Sequence, residues 1–178
     1  MNHETYANDY ILGILKSVRS FAIVGASANS VRPSYFVLKY LLAKGYRVFP
    51  VNPGLTGGEI AGQKVYGSLA DLEEPVDVVE IFRNSKAALG ITEEAIALKD
   101  RLRIKVIWMQ LGVRNDDAAL LAEEAGLKVV MNRCPKIEYG RLSGEIAWAG
   151  VNNKMLSNRK PVLLGKGFQQ FSIGKVKS

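Results

Sequence analysis

The chain has 178 residues, 48% apolar and 23% charged, with 24 basic against 17 acidic side chains and a net charge of +7. That is enough for one domain with its own core, no apolar run approaches the ~18 residues of a membrane span, and the N-terminus shows no signal-peptide pattern. One cysteine, Cys134, excludes an internal disulfide and fits a reducing cytoplasm; one histidine, His3, in a terminus expected to fray, leaves nothing for a histidine triad or a zinc site.

The charge is unevenly placed. Residues 151–178 hold Lys154, Arg159, Lys160, Lys166, Lys175 and Lys177 with no acid, whereas the first 150 residues carry 18 basic and 17 acidic groups. The basic segment reads as a solvated extension. It lacks the dense basic run of an arm for nucleic acid, which is therefore disfavoured as a partner.

In chain order, Ile11, Leu12, Ile14, Leu15 and Val18 predict an amphipathic lead-in helix over 7–18. Phe21 to Val24 is a first strand, followed by the turn Gly25-Ala26-Ser27. A helix follows with Pro33 in its first turn, where a missing N–H costs nothing. Phe36, Val37, Tyr40, Leu41 and Leu42 form its apolar face, and Gly45 closes it. Arg47 to Val51 is the second strand, completing a βαβ unit whose turn presents a helix N-terminus, a place for a phosphate.

Asn52-Pro53-Gly54 opens a glycine-rich loop, Lys64 to Tyr66 suggests a short strand, and Ser68 caps a brief helix stopped by Pro75. Val76 to Phe82 is almost continuously apolar, as central parallel strands are. Ser85 is expected to cap a helix reaching Leu98. Val106 to Met109 is the fourth strand, Asp116 to Ala125 a helix ended by Gly126, Leu127 to Met131 the fifth strand, and Cys134-Pro135 opens a final short helix or turn. This alternation predicts an α/β fold: a single Rossmann-like, doubly wound parallel sheet of about five strands, with right-handed crossovers, over residues 1–150. Residues 151–178 are left as an irregular basic extension.

Parallel sheets bind ligands beyond the carboxyl ends of their strands. Here those positions carry Gly25-Ala26-Ser27, Asn52-Pro53, Phe82-Arg83-Asn84-Ser85, Gln110-Leu111-Gly112 and Asn132-Arg133-Cys134, a polar rim suited to an anion. The three glycines of G-x-G-x-x-G are missing, Asn52 stands where a ribose-binding acid belongs, and no P-loop occurs. A nicotinamide-binding oxidoreductase or regulator is thus a weak alternative. On these residues alone, Arg32 and Arg83 serve equally as phosphate contacts or surface ion-pair partners. Asn52-Pro53 can be a plain turn, Phe82 and Trp108 read as core, and Gln110 and Gly112 can merely shape a loop. Cys134 reads as a small buried residue with no histidine to activate it.

The ordered motifs Val24-Gly25-Ala26-Ser27, Arg32-Pro33-Ser34, Gly45-Tyr46, Pro50-Val51-Asn52-Pro53, Phe82-Arg83-Asn84-Ser85, Trp108 to Gly112 and Asn132 to Glu138 resemble the small stand-alone CoA-binding proteins of the YccU-like group. Those are similar in turn to the CoA-binding domain of the succinyl-CoA synthetase alpha subunit. The resemblance spans about residues 10–140. It implies a pocket for coenzyme A or an acyl-CoA, with Gly25, Ala26 and Ser27 at the pyrophosphate, their backbone N–H groups and the Ser27 hydroxyl as donors, and Arg32 near the phosphates. Asn52 and Pro53 would lie under the adenosine, Phe82, Arg83 and Ser85 along the adenine and pantetheine side, Gln110 and Gly112 on the far rim, and Cys134 near the pantetheine end. The implied role is a binding module, a carrier, sensor or regulatory partner of an unidentified protein, either monomer or homodimer. No metal and no catalytic residue are assigned. An enzyme acting on a CoA thioester, or a CoA mixed disulfide at Cys134, is the alternative; a stand-alone CoA ligase is excluded because no suitable histidine or ATP-handling domain is present. If Lys154, Arg159 and Lys160 fold over the pocket, deleting 151–178 weakens CoA binding.

Overall fold

The structure is a computed structural model in which residues 1–145 are described. The basic segment 151–178, the domain boundary at 150 and the expected fold-back of Lys154, Arg159 and Lys160 lie outside the described residues. Among the described residues no helix is long and apolar enough to cross a membrane.

Helix α1 (Asn8–Ser17) leads into β1 (Ser20–Val24), α2 (Pro33–Ala43) and β2 (Arg47–Val51). Pro33 stands in the first turn of α2, and Gly45 at φ 80° lets the chain reverse after it. Phe36 departs from the predicted apolar face. It is 51% exposed, because Val37, Leu38 and Leu41 are the residues α2 turns to the sheet. A short 3-10 turn (Pro53–Leu55) precedes a small antiparallel hairpin, β3 (Glu59–Ile60) with β4 (Gln63–Lys64). A second 3-10 turn (Leu69–Asp71) is held by a reciprocal Ser68–Asp71 capping box, as the Ser68 signal implied.

Strand β5 (Val78–Ile81) is followed by α3 (Ser85–Ala97), α4 (Lys99–Leu102), β6 (Val106–Met109), α5 (Asp116–Glu124), β7 (Lys128–Val130) and α6 (Pro135–Ser143). The main sheet has five parallel strands in the order β2-β1-β5-β6-β7. The chain steps outward one way from β1 to β2, then crosses back through β5 to β7. The reversal leaves a crevice between the carboxyl ends of β1 and β5. Side chains alternate across the sheet. Phe21, Ile23, Val78 and Trp108 meet α1, α2 and α6 on one face; Ala22, Val79, Ile81, Ile107 and Met109 meet α3 and α5 on the other.

Two local expectations change. Asn84, not Ser85, caps α3: its Oδ1 accepts the Ala87 N–H at 2.9 Å, which places Ser85 at the first helical position. His3 is not frayed. It is 7% exposed, with Nδ1 2.8 Å from the Tyr6 hydroxyl and Nε2 3.4 Å from Glu123, whose carboxylate also receives the chain's amino group at 2.7 Å. Tyr6 and Tyr10 stack beside it and bond the backbone at Met131 and Val129, so the N-terminal segment is tied along β7.

Candidate functional site

The turn after β1 is built by close backbone approach. Gly25 has φ 92°, and a Cβ there would stand 2.9 Å from Arg83 Cδ and 3.1 Å from the Phe82 carbonyl oxygen. Only glycine fits both constraints. The resemblance implied backbone donors at 25 and 26, but both N–H groups point to the Val51 carbonyl, at 2.9 and 3.4 Å. Beyond them the loop is laced by side chains: Ser27 Oγ accepts the Asn29 N–H at 3.2 Å, and Asn29 Oδ1 accepts the Val31 N–H at 3.0 Å. Arg32 then sits at the N-cap of α2 with no capping bond from its side chain.

Asn52 fastens the two loops together. Its Nδ2 donates to the Ala26 carbonyl at 2.8 Å, its Oδ1 accepts the Gly54 N–H at 2.9 Å, and its own N–H reaches the Tyr66 carbonyl at 2.8 Å. Pro53 is exposed beside it, and Phe82 is half-buried after β5, its N–H on the Val24 carbonyl at 2.9 Å. Gly25, Ala26, Ser27, Asn52, Phe82 and the stem of Arg83 therefore form one group at the crevice.

Arg32 and Arg83 are exposed, and among the described residues neither forms a salt bridge or a side-chain hydrogen bond. Other arginines are engaged. Arg114 holds Glu4 and Asp116, Arg141 holds Glu138, and Arg101 bonds the carbonyls of Ala70 and Leu72.

Ser85 stands apart from this group. Its Oγ accepts the Arg114 N–H at 3.1 Å and its carbonyl the Asn115 amide at 2.9 Å, tying α3 to the entry of α5. Gly112, at φ 83°, donates its N–H to Asn132 Oδ1 at 2.8 Å, joining the loops after β6 and β7.

Gln110 belongs to a second, buried group that the sequence reading did not assemble. Its Oε1 accepts the Leu111 N–H at 2.6 Å, and its Nε2 donates to Glu80 Oε1 at 3.2 Å. Glu80 lies in the middle of β5, between Ile23 and Trp108, with 0% of its surface exposed. Among the described residues no cation faces it, and burial pushes its carboxyl well above the usual carboxylate range. Its Oε2 has no hydrogen-bond partner among the described residues. The signal was in the sequence: Glu80 is a charged residue inside the apolar run Val78–Phe82.

Cys134, at the N-cap of α6, is 9% exposed. Burial pushes its thiol up; the α6 amides at Ile137 and Lys136 and the Gln110 side chain pull the other way, while Glu80 adds to the rise. Among the described residues no group of His, Cys, Asp and Glu could hold a metal ion.

Residues 19–140 match the CoA binding domain family. The uncharacterized protein YneT of Bacillus subtilis is 34% identical over 126 residues, 71% of this chain and 89% of its own. A hypothetical protein from Pyrococcus horikoshii OT3 has a solved structure that superposes with a TM-score of 0.71 at 38% identity, covering 77% of this chain and 92% of that one. The ADP-forming acetate–CoA ligase I alpha subunit of Pyrococcus furiosus is 35% identical over 89 residues, 47% of this chain but 19% of the subunit. With its five-stranded parallel sheet and a match running from β1 into α6, the chain belongs to the CoA-binding domain family.

Proposed function

We propose that the crevice between β1 and β5 binds coenzyme A or an acyl-CoA without chemistry of its own, as a carrier, sensor or regulatory module. The observation that carries this reading is the pair of exposed guanidinium groups, Arg32 and Arg83, unpartnered among the described residues and flanking a glycine turn at the topological switch point. Unpaired arginines beside a tight turn suit a pyrophosphate and a third phosphate, which guanidinium groups bind in bidentate fashion. Asn52 leaves the end of β2 uncharged, which suits a phosphorylated ribose better than the free hydroxyls of NAD. With the amides of Gly25 and Ala26 engaged, phosphate donors come from Ser27 onward and from the two arginines. The pantetheine arm would run along the strand ends toward Gln110 and Cys134.

Calorimetric titration with CoA, dephospho-CoA and NAD tests this. CoA should bind saturably, dephospho-CoA and NAD more weakly, and Arg32→Ala and Arg83→Ala should each weaken CoA by about tenfold, the worth of one charge-assisted contact. Preference for NAD would overturn the reading, and so would arginine variants that bind CoA as the wild type does.

A further inference from the structure

Strand β7 is an edge of the sheet, and tyrosine hydroxyls, not a further strand, cover its outward backbone groups. The Tyr10 hydroxyl accepts the Val129 N–H at 3.3 Å and donates to the Val129 carbonyl at 3.1 Å. The Tyr6 hydroxyl accepts the Met131 N–H at 2.7 Å, just past the strand. A bare edge is a template for pairing with another chain, so this cover is a guard. Tyr10 belongs to α1, whereas Tyr6 lies in the segment before it, and His3 fastens that segment. Because the Tyr6 oxygen already takes the Met131 N–H, its own proton is directed to His3 Nδ1, 2.8 Å away. Nδ1 is thus the acceptor, and the ring is neutral. On its other side Nε2 is buried without a hydrogen bond among the described residues, 3.4 Å from a Glu123 carboxylate that the chain's amino group reaches at 2.7 Å. The other charges around the ring are engaged. Arg114 holds Glu4 and Asp116, and Arg133 lies over the Tyr6 ring and donates to the Glu4 carbonyl.

We propose that the segment from His3 to Tyr6 is a proton-operated latch on the end of β7, closed while His3 is neutral and released when His3 takes a proton. The proton enters at Nδ1. It displaces the Tyr6 hydroxyl proton from its acceptor, sets a second N–H donor against the phenol oxygen, and puts a charge on a side chain that is 7% exposed. Glu123 and Asp116 attract that charge, while the amino group and Arg114 repel it; burial outweighs the attraction and holds the ring below its ordinary 6.5. In the open segment His3 titrates at the ordinary value. Closure is therefore fully in place above about pH 6.5 and weakens as the pH falls below it, by at most about tenfold per unit. Release bares the Met131 N–H while Tyr10 stays on Val129. It also takes the Glu4 carbonyl and the Tyr6 ring from Arg133, on the carboxyl edge of the sheet.

The test is NMR of the full chain from about pH 7.5 to about pH 5.5, without ligand. His3 is the one histidine, so a single imidazole titration reports it, and its midpoint should lie below 6.5. Amide exchange, corrected for its intrinsic pH dependence, should show the protection of Met131 falling about three- to tenfold across that range. The Val129 amide, held by Tyr10, and the Lys128 amide, bonded to the Lys105 carbonyl, should keep theirs. His3→Gln offers Tyr6 an acceptor but cannot titrate, and should leave Met131 protected at every pH. An imidazole midpoint at or above 6.5 would overturn the latch, and that measurement needs no variant. So would Met131 protection that stays flat in the wild type, that falls equally in His3→Gln, or that falls in step with Lys128, since the last would report unfolding of the sheet and not release of the segment.

Discussion

The two halves of the carboxyl edge are built on opposite plans. Just past β1, β2 and β5 the polar groups are exposed or backbone-bound: a glycine turn, an asparagine strap and two arginines without a partner among the described residues. Deeper in β5 and at the ends of β6 and β7 they are buried: the Glu80 carboxyl, its Gln110 amide partner and the Cys134 thiol. The first half gives up little desolvation energy, because its charges stay in water. The second keeps a polar cluster in the core, where every unmet hydrogen bond costs of order 1–3 kcal/mol until something meets it. The contrast separates a solvent-facing half rich in positive charge from a half whose polar groups are shut into the core.

The comparison is broken most severely at Gly25. Gly25→Val forces a side chain into positive φ and drives methyl groups toward the Phe82 backbone, which cannot yield as a flexible side chain does. The expected loss is about 3 kcal/mol or more of stability, together with CoA binding. Chemical denaturation of the variant beside Gly13→Ala, where a Cβ meets open space, checks it. Equal stability of the two would mean that the close approach does not constrain the turn.

Glu80 sharpens the other half through pH. Its folded carboxyl holds a proton more tightly than the unfolded chain does, whose group titrates near the ordinary value of 4.5. Its folded-state contribution is therefore intact below about pH 4.5 and is lost as pH rises toward the folded value, at up to ~1.4 kcal/mol per pH unit. Glu80→Gln cannot ionise, so its stability relative to wild type should climb with pH over that window and then level off. A difference that stays flat between pH 4.5 and 8 would mean that Glu80 is ionised in the native protein.

Most of the sheet was legible because its strands are continuous apolar runs bounded by turn residues; Val106–Met109 fell where the pattern put it. The rim was legible for the same reason, since topology alone brings the residues just past each strand to one edge. What escaped depended on contacts between distant segments. Glu80 looks like a stray acid until Gln110, thirty residues on, is folded against it. His3 looked frayable until Tyr6 and Glu123 closed around it. The amides of Gly25 and Ala26 looked available until Val51 claimed them.

The smallest effect lies on the seam between the two halves, at the start of α3. Ser and Asn are both good N-caps, so Asn84-Ser85 is ambiguous by propensity, and the choice falls to geometry. Asn84 at φ −65° and ψ 163° is extended and reaches the Ala87 N–H, while Ser85 is already helical and turns its hydroxyl to the Arg114 N–H. Asn84→Ala should cost about 1 kcal/mol through a lost cap. Ser85→Ala should cost a similar or smaller amount through a bond between loops, near the ~1 kcal/mol of an ordinary hydrogen bond. The two are told apart by where the loss appears. Amide hydrogen exchange should quicken in the first turn of α3 for Asn84→Ala, and at the entry to α5 for Ser85→Ala. Fraying of α3 in the serine variant instead would return the cap to Ser85 and shift the register of the whole Phe82–Ser85 rim by one residue.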